Sequence, residues 1–169
     1  PYIVKSRHGS GSKNIFLISK NEDLFYLKNK YPDFIAQELL LPADQEYTCG
    51  LYRTKNGQVR NIIFRRTLKG DTTGYGETVN NSQIEKLLKD IANKLDLQGS
   101  INVQLRLTDN GPVVFEINPR FSSTVLFRDL LGFRDVIWSI EEALGLKIGE
   151  YKPVKEGRKI YRGFIEYID

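Results

Sequence analysis

The sequence predicts an α+β fold in two lobes, with a mainly antiparallel sheet in the larger lobe. Three observations predict it. The first 41 residues read as strand, glycine loop, strand, short helix and strand, which makes a small β/α lobe. From Glu46 the texture changes to strand-like runs divided by turn residues. One strongly periodic helix, Ser82–Leu95, interrupts these runs, and further strands and helices follow it. The expected boundary gives a small lobe over 1–41 and a larger one over 42–169.

Taken in order, Pro1–Lys5 is a short β-rich run and Ser6–Asn14 a small, polar, glycine-containing loop. Ile15–Ile18 is the second strand. Asn21 is placed to cap a helix that carries Glu22 and Asp23 in its first turn, where negative charge suits the helix dipole, and Pro32 marks its end. Phe34–Leu41 is the next apolar run. Glu46–Thr54 and Gln58–Leu68 form a hairpin around Lys55, Asn56 and Gly57, and Lys69–Asn81 reads as a mobile polar loop. In the helix Ser82–Leu95, Ser82 and Glu85 make a capping box, while Ile84, Leu87, Leu88, Ile91 and Leu95 recur at helical spacing. Ser100–Thr108 and Pro112–Asn118 are strands. A loop Pro119–Ser123 follows, then a helix ending near Gly132. The last elements are a helix Phe133–Leu144 with Val136, Ile137, Ile140 and Leu144 on one face, and a strand Lys159–Tyr167.

Composition bounds the possible functions. With 169 residues, 40% hydrophobic and 27% charged, the chain can bury a core and is not of the disordered class. No apolar run reaches the roughly 18 residues needed to cross a bilayer, so no membrane partner is expected. The single Cys49 excludes an internal disulfide framework and fits a reducing compartment, so a cytoplasmic location is expected. The chain starts at Pro1 and holds no Met, which reads as a piece of a longer protein. The net charge of +4 is read first as an ordinary slightly basic surface, and it also suits a pocket for a small anion. No concentrated Lys/Arg stripe with interleaved aromatics is present, so nucleic acid is not the expected partner.

The chemistry concentrates in Ile101–Arg120. On one face of the first strand lie Asn102, Gln104 and Arg106; on the second, Glu116 and Asn118 share a face. A turn on Asn110-Gly111 would set Gln104 against Ile117. A three-residue loop with Gly111 left-handed instead pairs Gln104 with Glu116, Asn102 with Asn118 and Leu105 with Phe115. Three oxygen-bearing side chains then converge with a single formal charge, which suits Mg²⁺ completed by waters and phosphates, and suits zinc poorly. Arg120 follows at once and is able to grip a phosphoryl group with two prongs. A hairpin with one solvated polar face has the same pattern and stays open. The Gly9–Gly11 region is able to bring backbone N–H groups close to phosphates, with Lys5 and Lys13 adding charge, but it is not a Walker loop. His8, the one histidine, is expected in solvent, and Cys49 in the core.

Together these segments resemble the ATP-grasp family, most closely the large subunit of carbamoyl phosphate synthetase. The resemblance is carried by Pro1-Tyr2-Ile3-Val4-Lys5 before the glycine loop and by Gln37-Glu38-Leu39-Leu40 with Gln45-Glu46-Tyr47-Thr48. Gly99–Gln104 and, most specifically, Glu116-Ile117-Asn118-Pro119-Arg120 complete it. It implies a fold with the nucleotide between two lobes, and these roles. Lys5 reaches the α-phosphate and the adenine side. The backbone of Gly9, Ser10 and Gly11 covers the phosphates. Glu38 and the Leu40 backbone read the adenine edge, and Glu46 holds the ribose hydroxyls. Gln104, Glu116 and Asn118 bind Mg²⁺, with Mn²⁺ as a substitute. Arg120 steadies the transferred phosphoryl group, and Lys69 adds a phosphate contact. The implied activity is ATP-dependent ligation of a carboxylate to an amine-type acceptor through an acyl phosphate, by a full-length protein that is a homo-oligomer. The competing reading is a nucleotide-binding regulatory or degenerate module without ligase activity.

Overall fold

The computed structural model describes residues 1–8 and 14–163, and the chain divides into two units, Pro1–Leu41 and Pro42–Asp169. In the first unit β1 (Tyr2–Ser6) pairs antiparallel with β2 (Ile15–Ile18) on one side and β3 (Phe34–Glu38) on the other. Helix α1 (Asn21–Lys30) adds Leu27 to a small core with Val4 and Ile18. Asn21 is not its cap, as the sequence suggested. The extended cap residue is Lys20, no side chain among the described residues caps the end, and Asn21 is already helical. Glu22 and Asp23 do sit in the first turn, and Lys28 and Lys30 in the last, so both ends complement the dipole.

The second unit is built on β4 (Glu46–Arg53), β5 (Val59–Lys69), β6 (Thr72–Thr78), β7 (Gly99–Thr108), β8 (Gly111–Asn118) and β9 (Lys159–Tyr161). They form a six-stranded sheet in the order β8-β7-β4-β5-β6-β9, with every neighbouring pair antiparallel. The segment expected as a mobile loop, Lys69–Asn81, holds β6 and pairs with β5 from Phe64↔Thr78 to Lys69↔Thr72. Its inward side chains include Thr73 and Thr78, both buried. Small polar residues filled that side, so no apolar alternation marked the strand, although Thr and Tyr suit a pleated surface. Of the expected strand Lys159–Tyr167, residues 159–161 pair with β6, and 164–167 lie outside the described residues.

Alternation along the strands gives the sheet two different faces. Tyr47, Cys49, Leu51, Ile63, Ile101, Val103 and Leu105 form one core with Ile84, Leu88 and Ala92 of α2 (Ser82–Lys94). Its cap is Asn81 rather than the expected Ser82. The Asn81 Oδ1 accepts from the backbone N–H groups of Gln83 at 3.1 Å and Ile84 at 3.0 Å. Cys49 is fully buried in this core, and burial pushes its thiol far above the usual range, which makes it inert.

The other face buries Tyr52, Ile62 and Phe64 against Phe133 and Trp138, with α3 (Val125–Leu130) and α4 (Asp135–Ala143) nearby in sequence. α4 buries Trp138 and Asp135, while of the four residues expected on one face Val136 and Ile137 are half-buried and Ile140 and Leu144 exposed. Asp135 is drawn in by Arg128, whose Nη1 lies 3.3 Å from Asp135 Oδ2 with both side chains inaccessible.

That guanidinium lies against Gly50. A Cβ at position 50 would collide with Arg128 Nη1 and stand 2.7 Å from its Cδ. Gly50→Ala is therefore expected to cost about 1–3 kcal/mol through overpacking, read by denaturant unfolding. A value within experimental error of the parent would show that Arg128 yields freely.

The hairpin β7–β8 keeps Gln104 opposite Glu116 and Asn102 opposite Asn118. The route differs from the sequence expectation. The turn sets Thr108 against Gly111, whose φ is +104°, and Leu105 faces Val114 rather than Phe115. A register shift between Gln104 and Leu105 then restores the Gln104–Glu116 pairing. The bulge supplies the extra residue that was assigned to the turn.

Candidate functional site

On the Tyr52 face the sheet changes character along its length. At one end the inward residues are apolar. At the other they are Glu46 of β4, Arg66 of β5, Gln104 and Arg106 of β7, and Glu116 and Asn118 of β8. Between them, buried Thr48 donates from its Oγ1 to buried Asn102 Oδ1 at 3.1 Å, closing the core with a satisfied polar pair.

The polar end is one connected network. Arg106 Nη2 donates to Glu46 Oε2 at 2.6 Å. Arg66 donates to Glu46 Oε1 from Nε at 3.0 Å and Nη2 at 2.8 Å, and its Nη2 also reaches Gln104 Oε1 at 2.6 Å. Gln104 Nε2 donates to Glu116 Oε1 at 3.0 Å, and Asn118 Nδ2 donates to the same oxygen at 2.6 Å. Two arginines thus face two carboxylates in a partly buried setting, where charge-assisted bonds are strong.

The structure brings together four of the residues singled out from the sequence: Glu46, Gln104, Glu116 and Asn118. Glu46 is held between the two arginines. Arg120 follows two residues after Asn118, is exposed, and donates from Nη1 to the Phe121 carbonyl at 3.0 Å. Lys69 ends β5 opposite Thr72 and is exposed. Lys5, Glu38 and Leu40 belong to the first unit. There Lys5 faces Ile15 and Ile35 in the sheet, Glu38 faces Tyr2, and Leu40 is buried. Gly9, Ser10 and Gly11 lie outside the described residues. His8 is exposed, with Nε2 3.3 Å from Asp33 Oδ2.

Arg66 and Arg106 are the members of the network to which the sequence assigned no role. Arg65 and Arg66 look alike as a basic pair beside Phe64. The signal that separates them is parity, since Arg66 shares its side of β5 with the core residues Ile62 and Phe64.

The donor set fits a hard cation. Glu116 offers a carboxylate whose Oε2 carries no hydrogen bond among the described residues, and the Asn118 amide stands beside it. Among the described residues no three His, Cys, Asp or Glu side chains gather as a metal-binding group. An ion here would rest on one carboxylate, amide oxygens and its own remaining ligands, which is the pattern of Mg²⁺ with phosphates and waters. At the opposite end of β4 and β5 a cavity of about 690 Å³, lined by Lys55, Arg60, Glu142, Lys147, Glu150 and Tyr151, contains none of these residues. Among the described residues no helix is long and apolar enough to cross a membrane.

Comparison with known proteins gives three findings. A family model described as "ATP-grasp in the biosynthetic pathway with Ter operon" matches residues 30–162. No curated protein matches the chain in sequence. Among solved structures, N5-carboxyaminoimidazole synthetase from Staphylococcus aureus complexed with ADP is similar, with a TM-score of 0.73 and 17% identity over 94% of this chain and 44% of that one. The biotin carboxylase domain of 2-oxoglutarate carboxylase from Hydrogenobacter thermophilus, solved with MgADP, ADP and bicarbonate, has a TM-score of 0.73 and 14% identity over 94% of this chain and 40% of that one. N5-carboxyaminoimidazole ribonucleotide synthetase from Thermus thermophilus has a TM-score of 0.69 and 14% identity, over 96% of this chain and 57% of that one. The chain therefore spans less than two thirds of each of these proteins.

Proposed function

The chain belongs to the ATP-grasp family, and from that premise we propose that it is the ATP- and Mg²⁺-binding part of a carboxylate–amine ligase. The single observation that carries the reading is the convergence of Gln104, Glu116 and Asn118 at the polar end of the large sheet. The solved structures of the same fold support it, since two of them hold ADP and one holds MgADP and bicarbonate. Within the ligases, the stretch Glu116-Ile117-Asn118-Pro119-Arg120 supports chemistry like that of carbamoyl phosphate synthetase.

In this reading Glu116 and Asn118 would hold Mg²⁺, and Gln104, expected from the sequence as a third ligand, instead directs its Nε2 at Glu116 Oε1 and orients that carboxylate. Held there, Mg²⁺ would supply charge neutralisation to the phosphate oxygens. Arg120, exposed and two residues beyond the ion site, swings from the Phe121 carbonyl to the phosphoryl group. The resemblance also implies nucleotide contacts for Lys5, Glu38, Leu40 and the backbone of Gly9, Ser10 and Gly11. Lys69 adds a distal phosphate contact, and Glu46 a ribose contact. Little covalent chemistry falls to the protein. Its work is positioning and charge neutralisation: the carboxylate takes the γ-phosphoryl group of ATP and ADP leaves, then the amine attacks the acyl carbon, loses a proton and expels phosphate to give the amide.

The experiment is a calorimetric titration of ADP into the protein with and without Mg²⁺, followed by phosphate release from ATP with a panel of carboxylates and amines. Tighter binding with Mg²⁺, and phosphate release that needs a carboxylate, are expected. Absence of nucleotide binding under both conditions overturns the proposal.

A further inference from the structure

We infer that Arg66 is a positioning residue that makes divalent-cation binding conditional on nucleotide phosphates. The inference rests on the ion site proposed above and goes beyond it, because it assigns the control of that site to a residue outside the ligand set. The Gln104 side-chain amide has two unlike ends. An amide presents an acceptor oxygen at one end and a donor nitrogen at the other. The Arg66 guanidinium is a donor only, so whatever amide end faces it must be the oxygen. It lies 2.6 Å from Gln104 Oε1. The opposite end, Nε2, is then directed at Glu116 Oε1 at 3.0 Å.

A metal ion needs an oxygen from each ligand. With Arg66 in place, Gln104 turns its nitrogen toward Glu116 and keeps its oxygen on a cation that is already there. The ion is left with one carboxylate and the Asn118 amide. Such a site is weak for a bare cation and becomes adequate once phosphate oxygens join it. Arg66 is well placed to hold this state. Its side chain is only 9% exposed, and its Nε and Nη2 are both fixed on Glu46 Oε1, so the bond to Gln104 comes from an anchored group. Charge works in the same direction. The network balances Arg66 and Arg106 against Glu46 and Glu116, and loss of Arg66 would leave one net negative charge beside the site.

The test is Mn²⁺ uptake without nucleotide, followed by the loss of the free-ion signal in electron paramagnetic resonance. Arg66→Gln removes the cation, keeps a donor for Glu46, and frees the Gln104 amide to turn over. Bare Mn²⁺ affinity is expected to rise about tenfold, the size of effect that outer residues have on metal sites. The double variant Arg66→Gln, Gln104→Leu is expected to lose most of that gain, because the added ligand is gone. A purely structural Arg66 would give a lower melting temperature with unchanged or weaker Mn²⁺ uptake, and that result overturns the inference. Should Arg66→Gln fail to fold, Gln104→Glu decides. It offers an oxygen at both ends and should gain bare Mn²⁺ affinity with Arg66 still present, and no gain overturns the inference. A parallel titration of the unaltered protein with ADP present separates the two levels. Mn²⁺ uptake there without a gain in the variants sinks the role of Arg66 alone, and no uptake there sinks the ion site and the inference with it.

Discussion

Glu116→Gln is expected to abolish the Mg²⁺-dependent part of nucleotide binding while leaving the fold intact. The substitution keeps the side-chain volume and removes the one formal negative charge that the hairpin offers an ion. Gln104 Nε2 and Asn118 Nδ2 both donate to Glu116 Oε1, and an amide oxygen is able to accept the same two bonds. The packing cost should therefore be small, within about 1 kcal/mol. The binding cost should be large. Changes in outer residues already lower metal affinity roughly 10–100-fold, and Glu116 is the proposed ligand itself. ADP titrated in Mg²⁺ should show the affinity it has with chelator present. An unchanged Mg²⁺ enhancement would remove Glu116 from the ion site.

That prediction rests on a part of the structure whose logic the sequence displays. The pairing of Gln104 with Glu116 follows from period-two alternation in two strands joined near Gly111, so the apolar side of the hairpin must match. The bulge that delivers the pairing was invisible, because an extra residue in β8 and an extra residue in the turn give the same register beyond it. β6 was hidden for another reason: it buries Thr73 and Thr78, and buried small polar residues leave no hydrophobic signature. Parity on β5 separates Arg66 from Arg65, yet its bond to Gln104 needs strands β5, β4 and β7 in their observed order. Local patterns show which way a side chain faces. Sheet order decides what it meets there.

Asp135→Asn should produce the largest loss of stability of any change considered. Whereas the nearby apolar Ile140 and Leu144 are exposed, Arg128 and Asp135, seven positions apart, are both buried. Their side chains are 0% and 1% accessible, and Arg128 Nη1 stands 3.3 Å from Asp135 Oδ2. Ser100 Oγ donates to the same carboxylate oxygen at 2.6 Å, tying α4 to β7. Among the described residues, Arg128 Nε, Nη1 and Nη2 are buried without a hydrogen bond of good geometry. Burial works against the guanidinium charge, and Asp135 is the chief group that supports it. The Phe133 ring, 5.7 Å away, adds a weak cation–π contact. Removing the carboxylate charge leaves a buried cation without compensation, at about 3–5 kcal/mol. For a domain of this size the melting temperature should fall by on the order of ten degrees. The paired replacement Arg128→Met, Asp135→Asn removes the stranded charge as well, and should recover much of the loss. If Asp135→Asn unfolds within about 1 kcal/mol of the parent, the pair carries little net weight and Gly50 is not there to seat it.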